Sequence, residues 1–112
     1  MKIAFTTKGE KWESMIDPRF GRTEFILIYE EEKDAFISFD NRDIEQEAHG
    51  AGPKTSQVIY DLKPDVLITG NGPGGNAASI LERMNIKIFT GAGNMTVKEA
   101  YEAYKKGTLK EF

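Results

Sequence analysis

Residues 65–70, with the sequence DVLITG, form an uninterrupted apolar run between an acidic residue and a glycine. Short runs of this kind are typical of strands buried on both faces, as in a parallel sheet covered by helices. Residues 86–90, IKIFT, repeat the pattern, and a stretch with helical spacing lies between the two runs. The second half of the chain therefore predicts alternating strands and helices, with the strands parallel and adjacent.

The first half of the chain predicts three further strands. Residues 2–7, KIAFTT, indicate a buried strand, and residues 8–22 follow it as a long loop without periodicity. Residues 24–29 and 35–39 are strand-like runs separated by the polar segment 30–34, which has the length of a hairpin connection. These two strands are expected to pair antiparallel.

Three helices are predicted, and each has a recognisable start. Proline suits the first helical turn, where its missing N–H leaves nothing unsatisfied, and a threonine followed three positions later by glutamate forms a capping box. The starts are Pro53, Pro73 and the pair Thr96 and Glu99, and the last helix ends near Gly107. The segment 41–51 before the first helix is predicted to be a polar loop.

The predicted element order is therefore β-β-β-α-β-α-β-α. Right-handed crossovers place strands one, four and five side by side, and the hairpin extends the sheet on the other side. We expect an α/β fold: a single three-layer domain over residues 1–112, with a five-stranded mixed sheet of order 3-2-1-4-5 in which strand two is antiparallel. This is the topology of the ribonuclease H-like motif.

Composition excludes several classes of function. A formal charge of −3 argues against nucleic acid as a partner, because phosphate-tracking surfaces are rich in lysine and arginine. The absence of cysteine excludes disulfides, a thiolate nucleophile, zinc fingers and cysteine-held iron–sulfur clusters. The sequence contains no signal-peptide pattern and no apolar run near the ~20 residues of a membrane span, so we expect a cytoplasmic protein without a membrane partner.

Three predicted loops meet at the carboxyl ends of the parallel strands, where open α/β sheets bind ligands. They are residues 7–22, 70–76 and 91–94. Helix amino termini at this edge carry partial positive charge and free N–H groups, and Arg19 and Arg22 add formal charge. We therefore expect this edge to attract an anion.

The loop after the fourth strand has the pattern Gly70-x-Gly72-x-x-Gly75 of a dinucleotide fingerprint, between a predicted strand and a predicted helix. The acidic residue that normally follows at the end of the next strand is absent, since that strand ends in Phe89 and Thr90. Two interpretations stay open: a nucleotide- or phosphate-binding regulatory domain, or a tight turn whose glycines permit close packing.

Catalysis finds no support in the sequence. Two-metal nuclease chemistry needs several converging carboxylates, whereas the first and fourth strands end in Thr6, Thr7 and Thr69. The chain's one histidine, His49, lies in a glycine-flanked polar segment and is either a solvated loop residue or a metal ligand. One imidazole holds a bare divalent ion poorly, but it could anchor a preassembled cluster that brings its other ligands.

Several segments together resemble the dinitrogenase iron–molybdenum cofactor biosynthesis family, which includes the NifX-like and NifB C-terminal-like domains. They are residues 17–22 (DPRFGR), 50–52 (GAG), 70–77 (GNGPGGNA) and 96–100 (TVKEA), with Tyr104 and Gly107 in the last helix. The match extends over essentially the whole chain, and the family's ribonuclease H-like motif agrees with the predicted topology.

The resemblance implies a non-enzymatic protein that carries an anionic iron–sulfur or iron–molybdenum cluster between assembly and acceptor proteins. The contacts it implies combine basic and aromatic side chains, loop backbone and one metal ligand, His49. They are Arg19, Phe20, Arg22, His49, Gly70, Asn71, Gly72, Gly74, Gly75 and Asn76.

A third hypothesis is an interaction module that binds partners through exposed Trp12, Phe20 and Phe112. Trp12 lies in the long loop 8–22, where it is either a lid over the ligand edge or a contact anchor. The sequence does not choose between these two roles.

Overall fold

The computed structural model describes residues 1–45 and 51–112, which form one mixed sheet covered by helices on both faces. The strands are β1 Lys2–Thr7, β2 Phe25–Glu30, β3 Ala35–Asp40, β4 Val66–Ile68, β5 Lys87–Thr90 and β6 Lys110–Glu111. The helices are α1 Arg42–Glu45, α2 Ala51–Leu62, α3 Gly75–Glu82 and α4 Val97–Lys106. Within the described ranges, no helix is long and apolar enough to cross a membrane.

The strand order is β3-β2-β1-β4-β5-β6, which confirms the predicted order 3-2-1-4-5 and adds a strand at one end. β1 pairs antiparallel with β2 and parallel with β4, and β5 continues the parallel part. The additional strand, β6, pairs antiparallel with β5 over Lys110 and Glu111. Two exposed charged residues carry no alternation of apolar and polar side chains, so the sequence gives no strand signal there.

The two faces of the sheet bury separate cores. On one face, Ile59 of α2 and Leu81 of α3 pack with Ile28 and Leu67 of the sheet. On the other face, Val97 and Ala100 of α4 pack with alternate residues of the same strands. This alternation follows from the two-residue period of a strand, which sends neighbouring side chains to opposite faces.

The long loop between β1 and β2 contains no helix and no strand, as predicted, but its backbone is tied to the rest of the fold. Ile16 N–H donates to Met95 O at 2.9 Å, and Lys8 N–H donates to Met15 O at 2.9 Å. Val97 N–H donates to Ser14 O at 2.8 Å. The loop is therefore held against the start of α4 over the middle of its length.

Helix α4 starts and ends as predicted. Thr96 Oγ1 accepts a hydrogen bond from Glu99 N–H, the Glu99 side chain accepts one from Thr96 N–H, and Gly107 ends the helix with φ of 74°. Helix α3 begins at Gly75, two residues after the predicted Pro73. The predicted loop 41–51 also differs from the structure, because its first part forms the one-turn helix α1 and its last residue begins α2.

Glu31, in the turn after β2, joins the hairpin to the end of α4. Its carboxylate accepts hydrogen bonds from Tyr101 Oη at 2.6 Å and pairs with Lys105 Nζ at 2.7 Å. The hydrogen bond from Lys105, followed by that from Tyr101, holds the pKa of Glu31 below its ordinary value of 4.5. The ionised carboxylate therefore stabilises the contact between hairpin and helix.

This pKa shift predicts a pH dependence of stability. Because the pKa of Glu31 is lower in the folded chain than in the unfolded one, its contribution is fully present above pH 4.5 and is lost as the pH falls through the lowered pKa. We expect Glu31→Gln to lower the free energy of unfolding at neutral pH by about 1 kcal/mol. Its decline on acidification should be shallower than that of the wild type.

Urea unfolding at a series of pH values measures this difference, and Glu82→Gln, at an exposed position on α3, is the matched control. Parallel pH profiles for wild type and Glu31→Gln would contradict the assigned role of Glu31.

Candidate functional site

Three loops meet at the carboxyl ends of β1, β4 and β5, as the sequence predicted. Asn71 N–H donates to Pro18 O at 2.9 Å, and Gly91 N–H donates to Gly70 O at 3.0 Å. These backbone bonds join the loop after β1 to the loop after β4, and that loop in turn to the loop after β5. The three loops are therefore joined to one another by backbone hydrogen bonds and form one connected surface at this edge.

Beneath these loops, a hydrogen bond between two buried hydroxyl groups joins the carboxyl ends of β1 and β4. Thr6 Oγ1 lies 2.7 Å from Thr69 Oγ1 and also donates to Asp17 O at 2.9 Å. Since the single hydroxyl proton of Thr6 is used on Asp17 O, Thr69 donates to Thr6. Among the residues that the structure describes, no group of three histidine, cysteine, aspartate or glutamate side chains could hold a metal ion.

Asp17 fixes the shape of the loop after β1. Its side chain is fully buried, and its carboxylate accepts hydrogen bonds from the backbone N–H groups of Arg19 at 3.0 Å and Glu24 at 3.1 Å. The guanidinium of Arg19 adds two more bonds to the same carboxylate, each at 3.0 Å. Arg19 thus compensates a buried charge, while its side chain remains 44% exposed. Arg22 is half-buried in the same loop.

Gly70 marks the closest approach of the three loops. A Cβ at this position would lie 2.6 Å from Pro18 Cα and 3.0 Å from Gly93 Cα. Both neighbouring atoms are backbone, so neither can swing away. Gly70 is therefore required for packing, which is the second of the two interpretations that the sequence left open for the glycine loop.

Gly74 and Gly75 have a different environment. A Cβ at either position would meet nothing within 4 Å, and both residues are exposed. Gly74 is the N-cap of α3 and has no side chain to cap the helix, and the first turn, which includes Asn76, contains no acidic residue. Among the described residues, the positive end of the helix dipole therefore has neither an N-cap side chain nor a first-turn carboxylate to compensate it.

Phe20 lies differently from the prediction, whereas Phe112 is exposed as predicted. Phe20 is only 4% exposed and packs in the core with Ala4 and Ile26, so the hypothesis that it is an exposed partner contact is wrong. Phe112 is 59% exposed, and its ring covers Gly72 so closely that a Cβ there would collide with it. The sequence did not indicate this contact, because it depends on the unpredicted pairing of β6 with β5.

Trp12 lies on the α4 face of the sheet and not over the three loops at the carboxyl ends of β1, β4 and β5. Its ring makes edge-to-face contacts with Tyr29 and Phe36 at centroid distances of 4.8 Å, and Tyr101 lies 5.5 Å away. Tyr29 pairs with Ile3 near the start of β1, so this aromatic cluster is remote from the carboxyl end of that strand. Trp12 also lines an open groove of about 630 Å³ beside α4.

Of two further candidate groups, the structure describes Asn41 and not His49. His49, the predicted metal ligand, lies outside the described residues, so its role stays a prediction. Asn41, at the end of β3, donates from Nδ2 to Thr23 O and Thr55 Oγ1, both at 3.1 Å. Its buried Oδ1 has no hydrogen-bond partner in the described part of the chain. A carbonyl oxygen is an acceptor and suits a donor group, so it adds nothing to anion binding.

An ion pair beside this end of β3 also stays charged at neutral pH. Arg42 donates to Asp40 from Nε at 2.9 Å and from its terminal nitrogen at 2.6 Å. These side-chain hydrogen bonds, followed by one from the Arg42 backbone, lower the pKa of Asp40 to about 2. The two charges compensate each other, and both side chains are more than half exposed.

Comparison with known proteins identifies the family of the chain and finds solved structures with the same fold. The family model described as dinitrogenase iron-molybdenum cofactor matches residues 1–107, which confirms the resemblance found in the sequence. The apo form of the orange protein from Desulfovibrio gigas is 29% identical, with a TM-score of 0.91 over 99% of this chain and 92% of that one. A putative NifB protein from Thermotoga is 33% identical, with a TM-score of 0.82 over 98% and 91%. No curated protein sequence matches the chain.

The contrast between the glycines predicts the effect of two matched substitutions. We expect Gly70→Ala to destabilise the protein by about 2 kcal/mol, because the new methyl group would overlap backbone atoms of two other loops. Gly74→Ala should change stability by less than about 1 kcal/mol, since the new methyl group meets no neighbour. Chemical denaturation of both variants measures the difference, and equal losses would refute the close approach at Gly70.

Proposed function

The chain belongs to the dinitrogenase iron–molybdenum cofactor family, and we propose that it is a non-enzymatic carrier of an anionic iron–sulfur or iron–molybdenum cluster. The cluster is cargo, received from assembly proteins and passed to acceptor proteins. The proposal is supported most directly by the amino end of α3 at Gly74 and Gly75, where the described residues provide no N-cap side chain and no first-turn acidic residue, and where an added Cβ would meet nothing within 4 Å.

The donor chemistry of the chain fits an anion held by hydrogen bonds better than a bare metal ion held by side chains. The sequence has no cysteine, and the described residues offer no set of three metal-ligating side chains. Backbone N–H groups at a helix amino terminus bind anionic groups without further ligands. A preassembled cluster brings most of its own ligands, so the chain needs to supply charge, hydrogen bonds and at most one metal ligand.

The proposed contacts come from two sides of the edge. The first turn of α3 supplies N–H groups, and the loop after β1 supplies the partly exposed Arg19 together with Arg22. Asn71 and Gly72 lie between these two groups in the loop after β4, with Gly72 beneath the ring of Phe112. His49 is proposed as the terminal ligand to one metal of the cluster. The burial of Phe20 gives it a packing role beneath the loop.

Several observations favour a role as a cluster carrier over a role as an enzyme. The hydroxyls of Thr6 and Thr69 are engaged with each other and with Asp17 O, so neither is prepared as a nucleophile. The carboxylate of Asp17 is buried and accepts four hydrogen bonds from Arg19 and Glu24. An edge that binds through fixed backbone amides changes little on loading and release, which suits transfer of an intact cargo.

Gly74→Asp tests the proposal without weakening the fold. Aspartate is a good N-cap, so we expect this variant to raise the free energy of unfolding by about 0.5 kcal/mol. The same carboxylate would occupy the N–H groups of α3 and repel an anion. Anaerobic titration with isolated iron–molybdenum cofactor, followed by visible absorbance, should therefore show affinity reduced by about tenfold or more.

Gly74→Ala is the control for this titration, because it adds a side chain without charge or capping ability. Binding as tight in Gly74→Asp as in Gly74→Ala would rule out the amino end of α3 as the site. His49→Ala and Arg22→Ala should also weaken binding, whereas Lys106→Ala, in the last turn of α4, removes a positive charge far from the edge. The absence of any protein-dependent spectral change with the wild type would overturn the proposal itself.

The alternative function is a nucleotide- or phosphate-binding regulatory domain. It is favoured by the glycine pattern Gly70-x-Gly72-x-x-Gly75, which lies between β4 and α3 as the dinucleotide fingerprint requires. The family match and the absence of an acidic residue at the end of β5 favour the cluster instead.

Thermal-shift measurements with mononucleotides and inorganic phosphate distinguish the two functions. A ligand that binds only the folded chain raises the melting temperature by mass action, so a phosphate site of useful affinity should produce a shift at millimolar ligand. If this alternative is right, Gly74→Asp should abolish the shift. No shift with any of these ligands would exclude the alternative and leave the cluster proposal intact.

A further inference from the structure

Asn71 and Gly72, in the loop after β4, are the one asparagine–glycine pair of the sequence. In such a pair the backbone nitrogen of the glycine can attack the side-chain amide of the asparagine, because glycine has no side chain to hinder the approach. The four other asparagines are followed by larger residues, which are Arg42, Ala77, Ile86 and Met95. The sequence therefore singles out Asn71 as the asparagine best placed to lose its amide group.

The side chain of Asn71 is accessible and unrestrained. Asn71 is exposed and lies outside the helices and strands, and in the described part of the chain its side-chain amide makes no hydrogen bond. Asn41 is the contrast, because its buried amide donates to Thr23 O and Thr55 Oγ1, both at 3.1 Å. An amide held in this way does not turn toward the backbone nitrogen of the next residue, whereas that of Asn71 can.

The attacking nitrogen belongs to Gly72, and its N–H group is not engaged elsewhere within residues 1–45 and 51–112. There it donates to no backbone or side-chain acceptor. Asn94, which is also exposed in a loop of this edge, is followed by Met95, whose N–H donates to Ala92 O at 3.0 Å. Met95 N–H must leave this acceptor before it can react, so we expect Asn94 to react more slowly than Asn71.

The loop is anchored on the amino-terminal side of the reacting atoms. Asn71 N–H donates to Pro18 O at 2.9 Å, and the preceding Gly70 packs against backbone atoms of two other loops. Neither contact involves the two atoms that would join, which are the side-chain carbon Cγ of Asn71 and the backbone nitrogen of Gly72. The reaction therefore does not require the anchored part of the loop to open.

We propose that Asn71 is a deamidation site. Gly72 N bonds to Asn71 Cγ, the Cγ–Nδ2 bond breaks, and the amide group leaves as ammonia with the proton of Gly72 N–H, which gives a five-membered succinimide. Water then opens this ring. Cleavage of the N–Cγ bond gives aspartate, and cleavage of the bond from the same nitrogen to the backbone carbonyl carbon of Asn71 gives isoaspartate. The net reaction consumes one water, leaves a carboxylate and an ammonium ion, and involves no oxidation or reduction.

The consequence for binding rests on the proposed function. Asn71 lies in the loop that leads into α3, and a carboxylate beside the first turn of that helix would oppose the attraction of the helix dipole for an anion. Isoaspartate would also add one carbon to the main chain, next to the bond between Asn71 N–H and Pro18 O. Deamidation therefore lowers the affinity for an anionic cluster and slowly inactivates the carrier.

Peptide mapping by mass spectrometry, after the full folded chain has been kept for days in mildly alkaline buffer, tests the modification. The peptide with Asn71 should gain about 1 Da as the amide NH₂ becomes a hydroxyl group, and fragmentation should assign the gain to Asn71. The rate should exceed that at Asn94 in the same sample by about tenfold. Asn71→Gln should keep its mass, because glutamine must close a six-membered ring. Equal rates at Asn71 and Asn94, or no gain at Asn71, would overturn the proposal.

Asn71→Asp, which reproduces one of the two products, tests the effect on binding. Anaerobic titration with isolated iron–molybdenum cofactor should show an affinity about tenfold lower than that of Asn85→Asp. Asn85→Asp adds the same charge at an exposed position beyond the carboxyl end of α3, remote from Gly74. Equal affinities of the two variants would overturn the effect on binding. A wild type that binds no cofactor would contradict the proposed function and this effect with it, whereas the mass measurement uses no ligand and decides the modification by itself.

Discussion

The buried carboxylate of Asp17 organises the candidate site at the carboxyl ends of the parallel strands. It accepts hydrogen bonds from the backbone of Arg19 and Glu24 and from the Arg19 guanidinium, so the loop after β1 turns around a compensated charge. The turn places Pro18 O where Asn71 N–H reaches it, and this bond fixes the loop that leads into α3. Removing one partner of such a buried network leaves an uncompensated group, so the geometry of the edge depends on it.

Much of the fold could be predicted from local patterns. The apolar runs predicted the buried strands, and the spacing of Thr96 and Glu99 predicted the start of a helix. Both predictions succeeded because the interactions concerned involve residues that are close in the sequence. The sixth strand, β6, could not be predicted, since two polar residues become a strand only when β5 presents an unpaired edge to them. The start of α3 was placed two residues early because Pro73 is compatible with a first turn but does not require one.

The sequence predicted where the candidate site lies, but not the role of each residue in it. A glycine-rich sequence does not show whether a glycine is needed for contact or for access, and the structure separates Gly70, which touches backbone, from Gly74, which touches nothing. Likewise, Phe20 and Trp12 occupy the same loop, yet one is buried under the edge and the other packs on the α4 face. These differences arise from long-range packing, which no local spacing encodes.

Helices α3 and α4 both begin at the carboxyl edge, but among the described residues only α4 of the two has a side-chain cap on its amino terminus, formed by Thr96 and Glu99. The amino end of α3 presents main-chain groups rather than a capping side chain. Every residue except proline has the same main-chain N–H group, so a surface of this kind tolerates sequence drift around it and is lost when a substitution adds a large or an acidic side chain. Variation among related chains should therefore be restricted at Gly74 and Gly75 by what a substitution would obstruct, and not by what a glycine contributes.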